Sequence, residues 1–393
     1  KMDAVGSYKS IDKRAGFVGG FGVFAAFVIL SFYCVLGGWV LKYAFTFIGE
    51  MFGAGFGGAA GADYFVAFIT GTTEPIIWFA VFLGLSCLIV LAGVEKGIEK
   101  YSKIMMPALF VMLIIIIIRS VTLPGAVEGL KFMFKPDFSV FASFDSAIAV
   151  AGTALAQMFF SLSLGMGAML TYGSYLGKEQ NLQSSALIIP ILDTMVAILA
   201  GVAIMPAVFA FGLDPSAGPG LMFITLKEVF AAMPLGSFFG FLFFTLVFFA
   251  AITSSISLLE VICAYFIDSK KMQRKTVTAM AGIAVFILGI PVALSQGMLS
   301  HIRPILGMDI LDSFDFIAEY TLMPLGALFM YIFVGWIWGP KNVTDEIEVS
   351  GHKFPLKGYF NFMIKYVTPL FVAFVLYSAC ISPIIKYFAG GGQ

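Results

Sequence analysis

The sequence predicts an all-α integral membrane protein, and three observations carry that prediction. Sixty per cent of its 393 residues are hydrophobic, and the mean hydropathy is +0.99. Only 12% are charged, about half of the ~25% usual in a soluble chain. The apolar residues also come in continuous runs rather than in alternation. Most of these runs reach the ~20 residues that a helix needs to cross a ~30 Å hydrocarbon core, and they are too long for barrel strands.

Counting the stretches between charges gives about nine transmembrane helices. The first three are 15–41, 75–94 and 104–118, the last of them short but extended by its flanks. The fourth, 146–177, is unusually long. The fifth, 184–212, holds a single acid, Asp193, and the sixth, 231–267, holds only Glu260. The remaining three are 276–300, 320–340 and 366–385.

Lysine and arginine divide unevenly between the two sides of these spans. Sixteen fall in the N-terminal segment and in the segments around Lys96–Lys103, Lys178, Lys270–Lys275 and Lys341–Lys365. Six fall on the other side, and Lys42 ends the first span. The positive-inside rule then places the N-terminus of the chain in the cytoplasm and its C-terminus outside a plasma (inner) membrane.

Several function classes are excluded by the same numbers. With 23 cationic and 23 acidic side chains the formal net charge is 0, so no basic excess exists to hold a nucleic acid. Cys34, Cys87, Cys263 and Cys380 stand singly in apolar runs and read as small buried hydrophobes. Only His301 and His352 are present, both outside the spans, which argues against a histidine metal site or a Ser-His-Asp triad. The segment GAGFGG (53–58) matches G-x-G-x-x-G in form. Without a preceding strand and a helix opened by it, no dinucleotide site follows. The 213–230 segment, rich in Pro and Gly and then apolar, reads as a re-entrant or capping hairpin.

Some spans are unlike plain anchors. The fourth carries Gln157, Ser161 and Ser163 beside Gly165 and Gly167, the pattern of a helix interrupted at mid-membrane. Freed backbone groups are tolerated there only where they line a cavity or bind something; packing of helices on small residues is the alternative. Asp193 needs a cation, a partner or a proton, since an ionised side chain in a span is costly. On the sixth span Ala250, Thr253, Ser254, Ser257 and Leu258 recur every three or four residues and share one face. Those hydroxyls suit a hard cation, which seeks a cage of oxygens, or bond back to their own helix. Ile29 and Tyr33 form an i,i+4 pair on the first span.

Taken together, FYCVLGGW (32–39), GVEKGIEKYSKIMMP (93–107), QMFFSLSLGMGAMLTYGSY (157–175), GPGLMFIT (218–225) and FFAAITSSI (248–256) resemble the neurotransmitter:sodium symporter family. The likeness is strongest to its bacterial amino-acid transporters of the leucine-transporter type. The resemblance implies that type of inverted-repeat fold, incomplete here. The spans 15–41, 75–94 and 104–118 would be the remainder of a first repeat and the next five spans the second, with 366–385 an additional helix. The nine look like the family's third to eleventh helices, the first two being absent.

The resemblance also implies roles. Ile29, Tyr33, Phe160, Ser161, Ser163, Met166, Ser254 and Leu258 would bind substrate, with Phe160 as lid. Ser161, Asp193, Ala250, Thr253 and Ser254 would hold sodium. Asp315 would belong to an outer gate, and Tyr175 and Asp268 to an inner one, the arginine partners of both lying in the absent segment. Chloride-dependent relatives carry Asn and Ser where Asp193 and Ala197 stand, so a fixed carboxylate would replace the anion. The expectation is sodium-coupled symport of a neutral, hydrophobic or aromatic amino acid, chloride-independent, with Na+ co-transported and no organic cofactor, rather than catalysis. The alternatives are a non-transporting remnant of that family and a membrane-embedded structural or receptor subunit.

Overall fold

A computed structural model describes residues 2–389 except 216, 217, 350 and 352; His352 lies outside the described residues. In order, the helices are α1 (Ala4–Ile11), α2 (Gly16–Met51), α3 (Gly61–Thr70), α4 (Glu74–Leu91), α5 (Lys100–Val121) and α6 (Ala126–Phe134). Then come α7 (Phe144–Ser161), α8 (Ala168–Gly173), α9 (Leu182–Ala210), α10 (Leu226–Ala232), α11 (Gly236–Ala264) and α12 (Arg274–Ala293). The C-terminal third holds α13 (Ile310–Asp315), α14 (Met323–Ile332), α15 (Pro340–Glu348), α16 (Lys357–Phe362), α17 (Thr368–Val375) and α18 (Ser382–Ala389). Turns of π-helix join several of these, so that 310–338 and 357–389 run as continuous spans.

Among the described residues, eight helices are long and apolar enough to cross a membrane. The expected fourth span, 146–177, is not among them because it is divided: α7 stops at Ser161 and α8 starts at Ala168. The first span is longer than the run of apolar residues suggests. Lys42 does not end it, because its ammonium pairs with Glu74 and lies 5.6–5.9 Å from the ring centres of Tyr64, Phe68 and Trp78. With its charge satisfied by side chains, the helix continues to Met51. Its 36 residues extend about 54 Å, well beyond a ~30 Å hydrocarbon core.

At the centre α2 and α11 pack along each other, with α4, α5 and α12 around them. Close approach rests on small residues. A Cβ at Gly38 would lie 2.7 Å from the backbone nitrogen of Phe79, so α2 and α4 meet almost backbone to backbone. Aromatic rings close one end of this core: Tyr43 packs on Phe223 and Phe244 at 5.0 and 5.1 Å, and Phe65 stacks on Phe223 at 5.1 Å.

The 48–74 segment is not all loop. It folds α3 onto the 221–225 turn, where Lys227 Nζ donates to the carbonyl of Ala59 at 2.6 Å and the Gly61 N–H donates to Glu228. The 221–225 turn and α10 thereby form a helical cap on this end of the core. Gly53, Gly57 and Gly58 adopt left-handed conformations in the connection, which leads into a helix–helix contact and not a βαβ unit.

Candidate functional site

The interruption between α7 and α8 is built by backbone conformation. Ser163, Gly165 and Gly167 have φ of 54°, 80° and 77°, a left-handed region where glycine carries little steric cost and serine more. The Leu164 N–H still reaches the Phe159 carbonyl at 2.9 Å; helical bonding resumes only with Thr171 N–H to Gly167 O at 3.0 Å. A side chain at Gly165 would run into the carbonyl of Met323 on α14, so glycine is required there twice over, by conformation and by space. On the opposite flank α2 approaches closely: a Cβ at Gly22 would lie 3.0 Å from the Gly167 nitrogen.

Beside this interruption is a cavity of about 370 Å³. All eight residues expected to bind substrate line it. Ile29 and Tyr33 come from α2, Phe160 and Ser161 from the end of α7, Ser163 and Met166 from the unwound segment, and Ser254 and Leu258 from α11. Tyr33 and Ser254 interact across it. Thr253 also lines it, whereas Ala250 lies one turn away and Asp193 reaches the wall through Ser161, whose hydroxyl donates to Asp193 Oδ2 at 2.6 Å.

The α11 hydroxyls bond to their own helix. Thr253 Oγ1 donates to Ala250 O at 2.9 Å, and Ser254 Oγ donates to the same carbonyl at 3.2 Å. Each hydroxyl uses its single proton in this way and keeps its acceptor lone pairs. Donation to the helix is therefore compatible with oxygen ligation of a cation from the cavity side. Two oxygen groups result: a carboxylate with a hydroxyl at Asp193 and Ser161, and neutral oxygens at Ala250, Thr253 and Ser254. Both suit a hard cation, which takes oxygen ligands.

Five lining residues lie outside the expected set: Met106, Ala168, Met169, Tyr172 and Ser257. Of these, Ser257 was already placed on the α11 face by its spacing; Tyr172 could have been found as the residue on α8 one turn before Tyr175. The Tyr172 hydroxyl donates to Ser257 Oγ at 2.7 Å, and the Tyr175 hydroxyl donates to Glu260 Oε1 at 2.8 Å, so α8 and the turn after it are fastened to α11 at two successive points.

Glu260, which had no evident partner in the sequence, is fully buried and gripped by Arg274 in a two-bond pair, at 2.6 and 2.9 Å. Arg274 also donates to the Val90 carbonyl at 3.3 Å. The cation near Tyr175 is thus supplied from within the chain, at the start of α12, and its carboxylate is Glu260. Asp268 sits in the π-helical turn that follows α11, close to Lys271, with no ion pair among the described residues. Asp315 does not line the cavity; it lies near Asp312 and Glu319 and likewise has no ion pair among the described residues.

Residues 73–389 match the model of the sodium:neurotransmitter symporter family. The chain belongs to that family. It is 36% identical to a sodium-dependent transporter of Bacillus subtilis over 95% of this chain and 82% of the relative. A sodium-dependent transporter of Haemophilus influenzae is also 36% identical, over 94% and 80%. The crystal structure of MhsT in complex with L-phenylalanine superposes with a TM-score of 0.85 at 41% identity, covering 96% of this chain and 85% of that one. Family and fold together make this a multi-pass membrane transporter of the leucine-transporter type, not an enzyme, with Na+ as the ion its family couples to transport.

Proposed function

We propose that the protein takes up a neutral amino acid with a hydrophobic or aromatic side chain, driven by sodium and independent of chloride. The observation that carries this reading is the cavity of about 370 Å³ at the α7–α8 interruption. One part of its wall is apolar, from Ile29, Phe160, Met166 and Leu258, and suits an uncharged side chain. Another part presents Tyr33, Ser161, Ser163 and Ser254, whose hydroxyls complement the charged main-chain end of an amino acid. Support comes from MhsT, the 41% identical neighbour, whose crystal structure holds L-phenylalanine.

Sodium is held at two places: by Ser161 and Asp193, and by Ala250, Thr253 and Ser254. Backbone carbonyls freed at the interruption add further oxygens. Asp193 brings a fixed negative charge beside the first ion, the reason for expecting chloride independence. Phe160 covers the substrate, while Asp315 on one side and Tyr175 with Asp268 on the other belong to the gates. The 268–275 segment faces the cytoplasm of a plasma (inner) membrane and 213–230 the exterior. Each sodium ion entering down a 100 mV potential then contributes about 2.3 kcal/mol to uptake. The spans up to Val121 form the rest of one repeat and 146–340 the second.

The test is accumulation of radiolabelled L-phenylalanine by the protein in sealed proteoliposomes under an inward sodium gradient, with gluconate replacing chloride. Sodium-dependent accumulation in gluconate, competed by leucine but not by glutamate or lysine, is the expected result. An absolute need for chloride, or accumulation without sodium, would remove the proposal.

A further inference from the structure

A second cavity of about 370 Å³ lies apart from the first, where α2, the C-terminal end of α11 and α12 diverge. Its wall is almost wholly apolar. Gly20, Phe24 and Phe27 come from α2, Phe266 from the π-helical turn after α11, and Met280 and Ala284 from α12. Phe24, Met280 and the neighbouring Ile283 are 53%, 52% and 61% exposed. In a chain embedded in a membrane, an apolar cavity flanked by exposed apolar side chains opens towards lipid. Its size falls at the lower end of the ~300–1,000 Å³ typical of ligand cavities.

One end of this cavity is cationic. Met272, which lines it, stands in the short connection between α11 and α12, directly after Lys270 and Lys271. The connection is folded tightly: the Met272 N–H donates to the Phe266 carbonyl at 3.2 Å, and Lys271 has a left-handed φ of 56°. Lys275 stands in the first turn of α12, ahead of the lining residue Val277. Lys270, Lys271 and Lys275 are all exposed, and among the described residues none is in an ion pair. Arg274, by contrast, is held by Glu260. Asp268 is near Lys271, and it offsets one of the three charges.

We infer that this crevice seats one anionic phospholipid, an acyl chain in the cavity and the phosphate at Lys270 and Lys275. An apolar slot alone would take any lipid. Three lysines at its mouth, one of them offset by Asp268, leave a net positive charge on the side where lysine and arginine concentrate and select for a negative headgroup. Phe266 and Met272, which would touch the chain, are separated by Asp268 and the turn leading to Arg274. Met272 precedes Arg274, the partner of Glu260, by two residues.

The experiment is native mass spectrometry of the detergent-purified protein with added phosphatidylglycerol or phosphatidylcholine of identical acyl chains. One phosphatidylglycerol should be retained at collision energies that strip phosphatidylcholine, with about tenfold higher occupancy. Gly20→Leu fills the cavity without a clash, since a Cβ there meets nothing within 4 Å, and leucine favours helix over glycine. It should lower phosphatidylglycerol retention about tenfold, and Ala284→Leu should do the same from the α12 wall. Lys270→Gln with Lys275→Gln should cost roughly fivefold per charge for phosphatidylglycerol and leave phosphatidylcholine unchanged. Equal retention of the two lipids would overturn the proposal. So would retention that survives both cavity-filling variants, each checked for an unchanged thermal midpoint.

Discussion

The two sides of the first cavity are built differently. On one side α2 and α11 form the heart of the molecule: 78% of the apolar window of α2 and 50% of that of α11 is buried within the protein. The other side is α7, the unwound segment and α9, whose apolar window is only 6% buried. Thr253 and Ser254 therefore stand on a firmly packed helix, while Asp193 stands on the part of α9 before Ala203, where no residue is buried, the packing of α9 on α5 and α6 notwithstanding. A cation bound by both groups would bridge a fixed surface and a compliant one. Packing density, which resists displacement, thus assigns the halves: substitutions in the first should register in stability and those in the second in coupling.

The largest effect expected from that division is at Glu260. Removing one member of a buried ion pair leaves the other uncompensated, at about 3–5 kcal/mol. Glu260→Ala should lower the thermal midpoint sharply, and the double variant Glu260→Ala, Arg274→Met should regain most of it. A stable single variant would mean that Arg274 escapes to water and that this part of α11 is less firmly held than its burial implies.

Next is Asp193. On the exposed N-terminal part of α9 its loss should hardly change the thermal midpoint, yet sodium-driven uptake should fall on the order of 100-fold in Asp193→Ala. That is the scale of removing one member of a charged pair at a binding site. The Thr253→Ala, Ser254→Ala pair should also impair sodium dependence. Asp193→Asn with Ala197→Ser should bring partial chloride dependence. Uptake by Asp193→Ala at the unmodified rate and sodium requirement would place the whole cation site on α11 and break the comparison.

Much of this division was legible in the sequence. Continuous apolar runs marked the spans, and the glycines at 165 and 167 among serines marked the interruption. The three- and four-residue spacing from Ala250 to Leu258 placed hydroxyls on one face. What escaped was whatever depends on a partner far along the chain. Lys42 looked like the end of a helix because three rings and Glu74 that accept its charge lie on α3 and α4. Glu260 looked solitary because Arg274, 14 residues later, lies beyond a connection that reads as a cytoplasmic loop. Helix α3 was hidden by the glycines before it, and its contacts with the 221–225 turn are long-range. Local pattern records which face is polar; it does not record what returns to meet it.

A smaller effect is expected at the interruption itself. Gly165→Ala forces a side chain into a left-handed residue and against the Met323 carbonyl. Strain of this kind costs about 1–3 kcal/mol. Because the segment is unwound, the chain should relieve part of it by shifting Ser163 and Met166. Uptake should drop about tenfold and the half-saturating substrate concentration should rise, with the thermal midpoint changed by only a few degrees. Unaltered substrate affinity would show that the segment does not set the shape of the cavity.

The smallest effect is expected deep in the firmly packed half. Ser86 on α4 and Ser255 on α11 are both fully buried and share a 2.7 Å hydrogen bond directly behind the Thr253–Ser254 face. Such a clip invites the idea that it aims the cation ligands. The surrounding bonds argue otherwise. Ser255 Oγ is also within 3.0 Å of the Ile252 carbonyl, so Ser86→Ala leaves its proton a partner and no donor is orphaned. Only one net hydrogen bond disappears, worth about 0.5–1.5 kcal/mol. Ile252, Ile256 and Leu259, all buried, continue to fix the rotation of α11. Ser86→Ala should therefore lower the thermal midpoint slightly and leave the half-saturating sodium concentration within twofold. A sodium shift of tenfold or more would show that a single polar contact, rather than the packed apolar face, aligns Thr253 and Ser254. The firmness of that half would then reside in Ser86 and not in burial.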